Sequence, residues 1–252
     1  MYIFCIKATL LRIIKLHTID STNNYLKEWI RIHEAENFML VVTDSQTKGR
    51  GQMGTHWLSK SGKNLTFSMF VGLEQFSIER QFQLNQAVSL GLLFALKNHL
   101  PQVKIKWPND ILADTKKIAG ILIENTVSSR KIKHSIIGIG LNVNQTEFPD
   151  ELSQVTSLKT ALNRDFDLDS LLVEIRDSIK KQILLLDILS VDKMQELYLE
   201  NLYLYKTTSI FFSKDKKMFK GMIDGVANDG RLLIKTPSKK ILAFGFKEVR
   251  FL

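Results

Sequence analysis

Residues 106–111 read Lys-Trp-Pro-Asn-Asp-Ile, and residues 116–124 read Lys-Lys-Ile-Ala-Gly-Ile-Leu-Ile-Glu. A proline cannot donate to a strand ladder, so it predicts a rigid turn between two strands. Asn109 and Asp110 then lie at the end of these strands, which we call the mouth. Lys117 opens the second run, which is apolar and of strand type, and a lysine there can face the same mouth. This arrangement suits a substrate that carries a carboxylate or a phosphate.

A second motif lies upstream, where residues 46–57 read Gln-Thr-Lys-Gly-Arg-Gly-Gln-Met-Gly-Thr-His-Trp. Three glycines in six positions let the backbone approach a ligand and turn its N–H groups inward. Arg50 stands between two of them, and its guanidinium can fork onto phosphate or carboxylate oxygens. The loop follows a predicted strand at 38–42, but no helical pattern follows Gly54. This argues against a Rossmann dinucleotide site, whose third glycine opens a helix.

Composition sets broad bounds. A chain of 252 residues holds one large domain or one domain and a small module. The only cysteine, Cys5, excludes internal disulfides and cysteine-based zinc sites and predicts a reducing, cytoplasmic location. No apolar run reaches about 18 residues, so no membrane span is expected. The five histidines are far apart in sequence, so we expect no metal site built on them. Only His56, inside the loop at 46–57, lies near the proposed site.

The net charge of +9 admits three interpretations. It can be a solvated basic surface, an attraction for anionic ligands or an acidic partner, or a DNA-binding surface. The basic clusters at 214–217 and 239–240 do not have the pattern of a recognition helix. We therefore expect no specific DNA partner.

Periodicity predicts strands and helices intermixed, with many hairpins, hence an α+β fold with a mixed sheet packed by helices. Ser21 or Asp20 can cap a first helix. Strands are predicted at 1–7, 38–43, 64–71, 103–107, 111–113, 117–125 and 134–141. Helices are predicted at 80–99, 157–162, 169–187 and 192–201. After Tyr205, short alternating runs and turn signals predict a small antiparallel barrel.

Four motifs in order carry a family resemblance: Asp-Ser-Thr-Asn at 20–23, the loop at 46–57, the pair at 106–120, and Gly-Ile-Gly-Leu-Asn-Val-Asn at 138–144. Together they resemble the biotin–protein ligase family, over about residues 15–250. The resemblance implies a class II synthetase-like catalytic domain at 1–204 and an SH3-like domain at 205–252. Only 20 residues precede Ser21, so we expect the monofunctional type without an N-terminal DNA-binding domain.

The resemblance also implies an activity. Such a ligase uses ATP, with Mg²⁺, to form biotinyl-5'-AMP and then transfers biotin to a lysine of a biotin carboxyl carrier protein, as in acetyl-CoA carboxylase or a related carboxylase. No membrane partner is implied, and monomer and homodimer both stay open. The alternatives are a lipoate or octanoate ligase or transferase of the same fold, a non-catalytic biotin or nucleotide sensor, and a nucleic-acid binder.

By the same resemblance, Lys117 and Arg50 are the catalytic cations, which hold the biotin carboxylate and the α-phosphate together. The residues implied to bind biotin, the nucleotide or both are Ser21, Thr22, Asn23, Gln46, Gly49, Arg50, Gly51, Gln52, Trp57, Lys106, Asn109, Asp110, Lys117, Gly120 and Asn142. Asp110 can also approach Mg²⁺ through water. No direct protein ligand to a metal is expected.

Several of these positions keep a second interpretation. Ser21 can be a helix cap, Trp57 can pack in the core instead of stacking on adenine, Gly120 can mark a simple bulge, and Lys106 can make a salt bridge instead of a phosphate contact. The glycine loop departs from the family, in which arginines often stand at the positions of Gln52 and Thr55. We therefore expect faster release of biotinyl-adenylate than from an arginine-rich loop.

Overall fold

The computed structural model describes residues 12–215 and 217–252, and its first unit is a seven-stranded mixed sheet. The strands are β1 (Ile13–Ile19), β2 (Leu40–Gln46), β3 (Leu65–Ser77), β4 (Val103–Lys106), β5 (Asp110–Ala113), β6 (Lys116–Ser128) and β7 (Lys131–Leu141). Their order in the sheet is β1-β2-β3-β7-β6-β5-β4. Only β1 and β2 pair in parallel, and the other neighbours are antiparallel.

Five helices accompany these strands: α1 (Thr22–Ile32), α2 (Gln81–Lys97), α3 (Leu158–Leu162), α4 (Leu168–Leu184) and α5 (Val191–Glu200). Helix α2 is buried almost all round and packs against α4. A Cβ at Gly91 would lie 2.5 Å from Ile179 Cα, so the glycine permits this close contact. On the other face of the sheet, α1 buries Leu26 and Trp29 in a separate small cluster.

The alternation along β3 assigns its two faces. Leu65, Phe67 and Met69 belong to the large core beneath α2 and α4, while Thr66 and Ser68 are buried polar residues between them. Because successive strand side chains point to opposite faces, these hydroxyls lie on the α1 side of the sheet. A polar surface is therefore buried between α1 and the centre of the sheet.

The second unit is a five-stranded antiparallel sheet of the kind found in SH3-like domains. Its strands are β8 (Thr208–Ser213), β9 (Met218–Val226), β10 (Leu232–Lys235), β11 (Ile241–Phe244) and β12 (Val249–Phe251). Their order is β11-β10-β9-β8-β12, and within the described residues β11 and β12 do not pair to close a barrel. The predicted boundary at 204 and 205 falls between α5 and β8, and it stays a prediction because the buried side chains of both units form one continuous cluster.

Most predicted elements are confirmed, with shifted ends. β3 runs to Ser77 instead of residue 71, and α4 ends at Leu184, after which a 3-10 turn covers 185–187. β1 was not predicted, because this edge strand is at most half buried and its residues give no clear alternation. The strand predicted at 1–7 lies outside the described residues. No helix in the described part of the chain is long and apolar enough to cross a membrane.

Candidate functional site

A cleft with a cavity volume of about 230 Å³, partly open to solvent, lies on the α1 side of the sheet. That volume is just below the range typical of small-molecule sites, about 300–1,000 Å³. The walls come from the start of α1, the end of β2, the loop at 46–57, the turn before β5, and one loop of the C-terminal sheet. The floor comes from β3, β6 and β7.

Twelve of the fifteen predicted binding residues line this cleft: Ser21, Thr22, Asn23, Gln46, Arg50, Gly51, Gln52, Trp57, Asn109, Asp110, Lys117 and Gly120. Three do not, namely Gly49, Lys106 and Asn142. The sequence motifs, which are spread over about a hundred residues, are therefore brought to one place.

The start of α1 is capped from another element. The Thr22 backbone N–H and hydroxyl lie 2.7 and 3.1 Å from Gln46 Oε1. Ser21 stands at the N-cap position, but its side chain makes no capping hydrogen bond. Gln46, at the end of β2, thus takes over the role that a capping hydroxyl fulfils in many helices. Ser21 is left as a buried polar residue in the wall of the cleft.

Asn23 continues this polar surface across the sheet. Ser68 Oγ lies 2.5 Å from Asn23 Oδ1 and 2.7 Å from Thr22 Oγ1. A hydroxyl carries one proton, so Ser68 donates to only one of them. A Cβ at Gly138 would lie 2.4 Å from Asn23 Oδ1, so any larger residue there would have to displace the Asn23 amide. Ser68 and Gly138 were missed as site residues, although Gly138 stands in one of the motifs.

Lys117 reaches back over β6 to the mouth of the cleft. Its Nζ lies 2.7 Å from Asp110 Oδ1 and 5.7 Å from the centre of the Trp57 ring. A Cβ at Gly120 would lie only 3.2 Å from Nζ, so this glycine leaves room for the lysine. The neighbouring Lys116 is exposed. The structure thus places the second lysine of the pair, and not the first, in the lining of the cleft.

The Asp110 carboxylate is buried at Oδ1, and its contact with Lys117 is an ion pair without the geometry of a directed hydrogen bond. Asn109 beside it donates from Nδ2 to Ile121 O at 2.7 Å, and the Ile121 N–H donates back to Asn109 O at 2.9 Å. Asn109 thereby fixes the proline turn against β6. Asp110 is held at the mouth, where a cation can compete with Lys117 for it.

Trp57 lies flat on the floor of the cleft. A Cβ at Gly140 would lie 2.2 Å from the Trp57 ring, and one at Gly120 would lie 3.4 Å from it. The indole Nε1 is buried and has no hydrogen-bond partner among the described residues. The ring is half-buried, so one part packs on the glycine surface and another faces the cleft.

The glycine loop folds into a small hairpin. The Gly51 N–H donates to Thr55 O at 2.7 Å, and Thr55 Oγ1 donates to Gln52 O at 2.9 Å. A Cβ at Gly49 would lie 2.4 Å from Trp57 O, which explains this glycine without any contact to the cleft. Arg50 NH2 donates to Glu124 Oε2 at 2.8 Å. Glu124 ends the second quoted stretch, but no role was predicted for it from the sequence.

Lys106 and Asn142 support the site from outside. Burial lowers the pKa of the Lys106 ammonium, Asp110 raises it, and Lys117 lowers it again. The ammonium lies 5.3 Å from the Phe251 ring of the C-terminal sheet. Asn142 Nδ2 donates to Thr156 O at 3.1 Å and so orders the segment after β7. Neither side chain is in contact with the cleft.

Phe246 and Lys247, between β11 and β12, complete the lining of the cleft. The Phe246 ring lies 5.4 Å from the Trp107 ring, and Trp107 Nε1 donates to Gly230 O at 2.9 Å. The Trp-Pro turn is thus attached to the C-terminal sheet at two points. Sequence reasoning left the role of this sheet open, because no motif in it indicates a ligand.

Within residues 12–215 and 217–252, no group of three or more His, Cys, Asp or Glu side chains is arranged to hold a metal ion. Asp110 is the acidic side chain that lines the cleft. Mg²⁺ in phosphate-transfer sites often takes only one or two protein carboxylates and completes its shell with substrate phosphates and water. A single, partly buried carboxylate at the mouth fits that pattern.

Known proteins resemble this chain in sequence. The bifunctional ligase/repressor BirA of Bacillus subtilis is 34% identical over 155 residues, which are 60% of this chain and 47% of that protein. The biotin–acetyl-CoA-carboxylase ligase of Mycobacterium tuberculosis is 30% identical over 125 residues, 48% of this chain and 44% of that protein. The chain spans about half the length of the curated relatives it matches.

The fold is also similar to a solved structure. The biotin protein ligase of Aquifex aeolicus, in complex with biotin and ATP, aligns with a TM-score of 0.79 and 28% identity, and covers 96% of this chain and 99% of that one. The profile of the biotin/lipoate A/B protein ligase family matches residues 16–142, half of the chain. That match contains every residue that lines the cleft except Phe246 and Lys247 of the C-terminal sheet. The chain belongs to the biotin/lipoate A/B protein ligase family.

Proposed function

We propose that this protein is an ATP-dependent biotin–protein ligase of the biotin–acetyl-CoA-carboxylase ligase type. It forms biotinyl-5'-AMP and transfers biotin to a lysine of a biotin carboxyl carrier protein. The observation that carries this proposal is the position of two cations, Lys117 and Arg50, in the wall of one cleft whose polar side holds Thr22 and Asn23. Cations and hydrogen-bonding groups together suit a ligand with an anionic end and a ureido ring.

The chemistry of the first step explains why two cations are needed. The biotin carboxylate must attack the α-phosphate of ATP, so two anions have to be held within attack distance. Lys117 can turn from Asp110 to the pair of anions, since its ammonium is a compact charge on a flexible stem. Arg50 binds the same phosphate with its planar fork. Fixed cations stabilise the charge that builds up at phosphorus in a partly dehydrated site.

The remaining groups orient the two substrates. Thr22, Asn23 and Gln46 bind biotin, while Trp57 and Asn109 hold the nucleotide, with Trp57 offering a ring face to adenine. The glycine backbone of the loop lets phosphates approach closely. Mg²⁺, when bound with ATP, neutralises phosphate charge, and Asp110 is the residue that would hold it.

The second step needs an acceptor lysine and a shielded anhydride. The partner we propose is an acidic carrier domain, for which a chain of net charge +9 has a favourable field. The loop at 46–57 and the loop with Phe246 close over the cleft from two sides and protect the intermediate from water. We also propose residues 1–204 and 205–252 as the two domains, and the cytoplasm as the location.

The test is transfer of labelled biotin to a purified apo carrier domain with ATP and Mg²⁺. Lys117→Ala is compared with Lys116→Ala, since Lys116 is the exposed neighbour with the same charge. We expect labelling that requires ATP, is lost in Lys117→Ala and persists in Lys116→Ala. Equal activity of both variants would contradict the role of Lys117. Transfer of lipoate or octanoate in place of biotin would support the alternative activity of the same family.

A further inference from the structure

Glu124 connects the two halves of the cleft, although it does not itself line it. It lies on β6, and its Oε2 accepts from Asn23 Nδ2 at 2.7 Å and from Arg50 NH2 at 2.8 Å. Asn23 lies on the side proposed for biotin, and Arg50 on the side proposed for phosphate. One carboxylate oxygen therefore joins the residues that meet the two substrates.

These bonds fix the orientation of both partners. The Asn23 amide accepts from Ser68 at Oδ1 and donates to Glu124 at Nδ2, so these two bonds fix the orientation of its oxygen and nitrogen. Arg50 has five N–H donors in a rigid plane, and the bond to Glu124 uses only one terminal nitrogen. The other terminal nitrogen and Nε are left for the oxygens of a ligand. Without Glu124, neither side chain has this anchor.

The contacts also form a chain of hydrogen bonds through the site. It runs from Gln46, which accepts from the Thr22 backbone N–H, through the Thr22 hydroxyl, Ser68, Asn23 and Glu124 to Arg50, with the Ser68 proton donated to Asn23. Gln46 and Arg50 are only four residues apart in sequence, at the two ends of the first part of the glycine loop. The first part of the loop, from Gln46 to Arg50, is therefore held at both ends by hydrogen bonds that lead to Asn23.

We propose that Glu124 is a positioning residue that couples the Thr22–Asn23 side of the cleft to Arg50. It orients Asn23 for biotin and Arg50 for the α-phosphate at the same time, through one carboxylate oxygen. The inference rests on the proposed function for the identity of the two ligands. The coupling itself depends only on the contacts of Glu124. It is measured as a change in ligand affinity and does not require turnover.

The test measures binding of biotin and of AMP separately, by calorimetry, in the full chain. Glu124→Gln keeps an acceptor for Asn23 but removes the charge that holds Arg50. We expect AMP affinity to fall about tenfold while biotin affinity stays within about twofold, the size of one charge-assisted hydrogen bond at a partly exposed site. Glu124→Ala removes both bonds, so we expect both affinities to fall.

Three controls separate coupling from folding. Glu79→Gln breaks another Glu–Arg pair, with Arg130, which does not line the cleft, and should change neither affinity. In a double-mutant cycle, Glu124→Gln should add little to the AMP defect of Arg50→Ala. Equal losses in both Glu124 variants, with an additive cycle and a lowered melting temperature, would overturn the proposal in favour of a purely structural role. Unchanged affinities in Glu124→Ala would overturn it as well.

The experiments distinguish a failure of the proposed ligase activity from a failure of the coupling through Glu124. A wild-type chain that binds AMP and biotin with the expected dependence on Glu124, but labels no carrier domain, would support the coupling and contradict the ligase activity. A chain that labels the carrier but keeps wild-type affinities in both Glu124 variants would support the activity and contradict the coupling.

Discussion

Gly138→Ala is expected to weaken biotin binding selectively, through contact with a single side chain. The added Cβ would lie 2.4 Å from Asn23 Oδ1, whereas non-bonded heavy atoms prefer about 3.5 Å. Gly138 is paired with Ser68 on one side and Leu122 on the other, so its backbone cannot retreat. Asn23 therefore has to move by about 1 Å, which breaks or stretches its hydrogen bonds to Ser68 and Glu124.

The magnitude follows from these lost contacts. Overpacking a close-packed site costs about 1–3 kcal/mol of unfolding free energy, which lowers the melting temperature by roughly 2–4 °C per kcal/mol in a chain of this size. If Asn23 also loses its contact to biotin, about 1.4 kcal/mol of binding energy disappears, and the dissociation constant rises about tenfold. AMP affinity should change less, because Asn23 reaches the phosphate side only through Glu124.

The assay is calorimetric titration of biotin and of AMP, with thermal unfolding alongside. Gly72→Ala is the matched control, since Gly72 lies on the neighbouring β3 and its Cβ would meet nothing nearer than 3.8 Å. We expect the control to bind both ligands as the wild type does. A Gly138→Ala chain with wild-type biotin affinity would refute the reasoning, because Asn23 could then not be a biotin contact in this position.

Three further outcomes are expected. Gln52→Arg restores a cation to the glycine loop, so a chase experiment on preformed biotinyl-adenylate should show slower release; equal release rates would remove the reason given for fast release by the wild type. Lys106→Met removes an ammonium whose pKa burial lowers from its usual 10.5. The unfolded chain holds that proton more tightly, so the unfolding free energy of the wild type rises with pH below 10.5. As pH rises towards 10.5, the difference in melting temperature between variant and wild type should therefore shift in favour of the wild type. A pH-independent difference would contradict this. Phe246→Ala removes the ring that packs on Trp107 and lines the cleft, so AMP affinity should fall several-fold with biotin affinity kept, and Ile241→Ala, an exposed position on β11, serves as the control.

The parts of the site that the sequence predicts are those whose chemistry is local. The Trp-Pro turn places Asn109 and Asp110 at a strand end because proline excludes a continuous ladder. Lys117 follows after a tight turn, so the same hairpin presents it to the same mouth. Only four residue pairs join β5 to β6, so the short motif that contains both strands is enough to define their register.

The parts that the sequence does not predict depend on distant pairings. Ser68 meets Asn23 across 45 positions, Glu124 meets Arg50 across 74, and Glu124 meets Asn23 across 101. In the sequence, Ser68 is one polar residue in an alternating strand, and Glu124 is the end of an apolar run. Nothing local distinguishes them from solvent-facing strand residues, because their partners are decided by the order of strands in the sheet. Phe246 was missed for the same reason.

The floor of the cleft shows how that order produces a binding site. Gly140 pairs with Gly120 on one side and Thr66 on the other, and Gly138 stands opposite Ser68. On this face three neighbouring strands thus present glycines and small hydroxyl residues, where Trp57 and Asn23 can lie directly on the backbone. A slip of β7 by one residue would bring Ile139 to this face and turn the glycines into the core. The apolar residues between the glycines therefore do more than fill the core, since burying them beneath α2 and α4 is what keeps the glycine floor under the ligand.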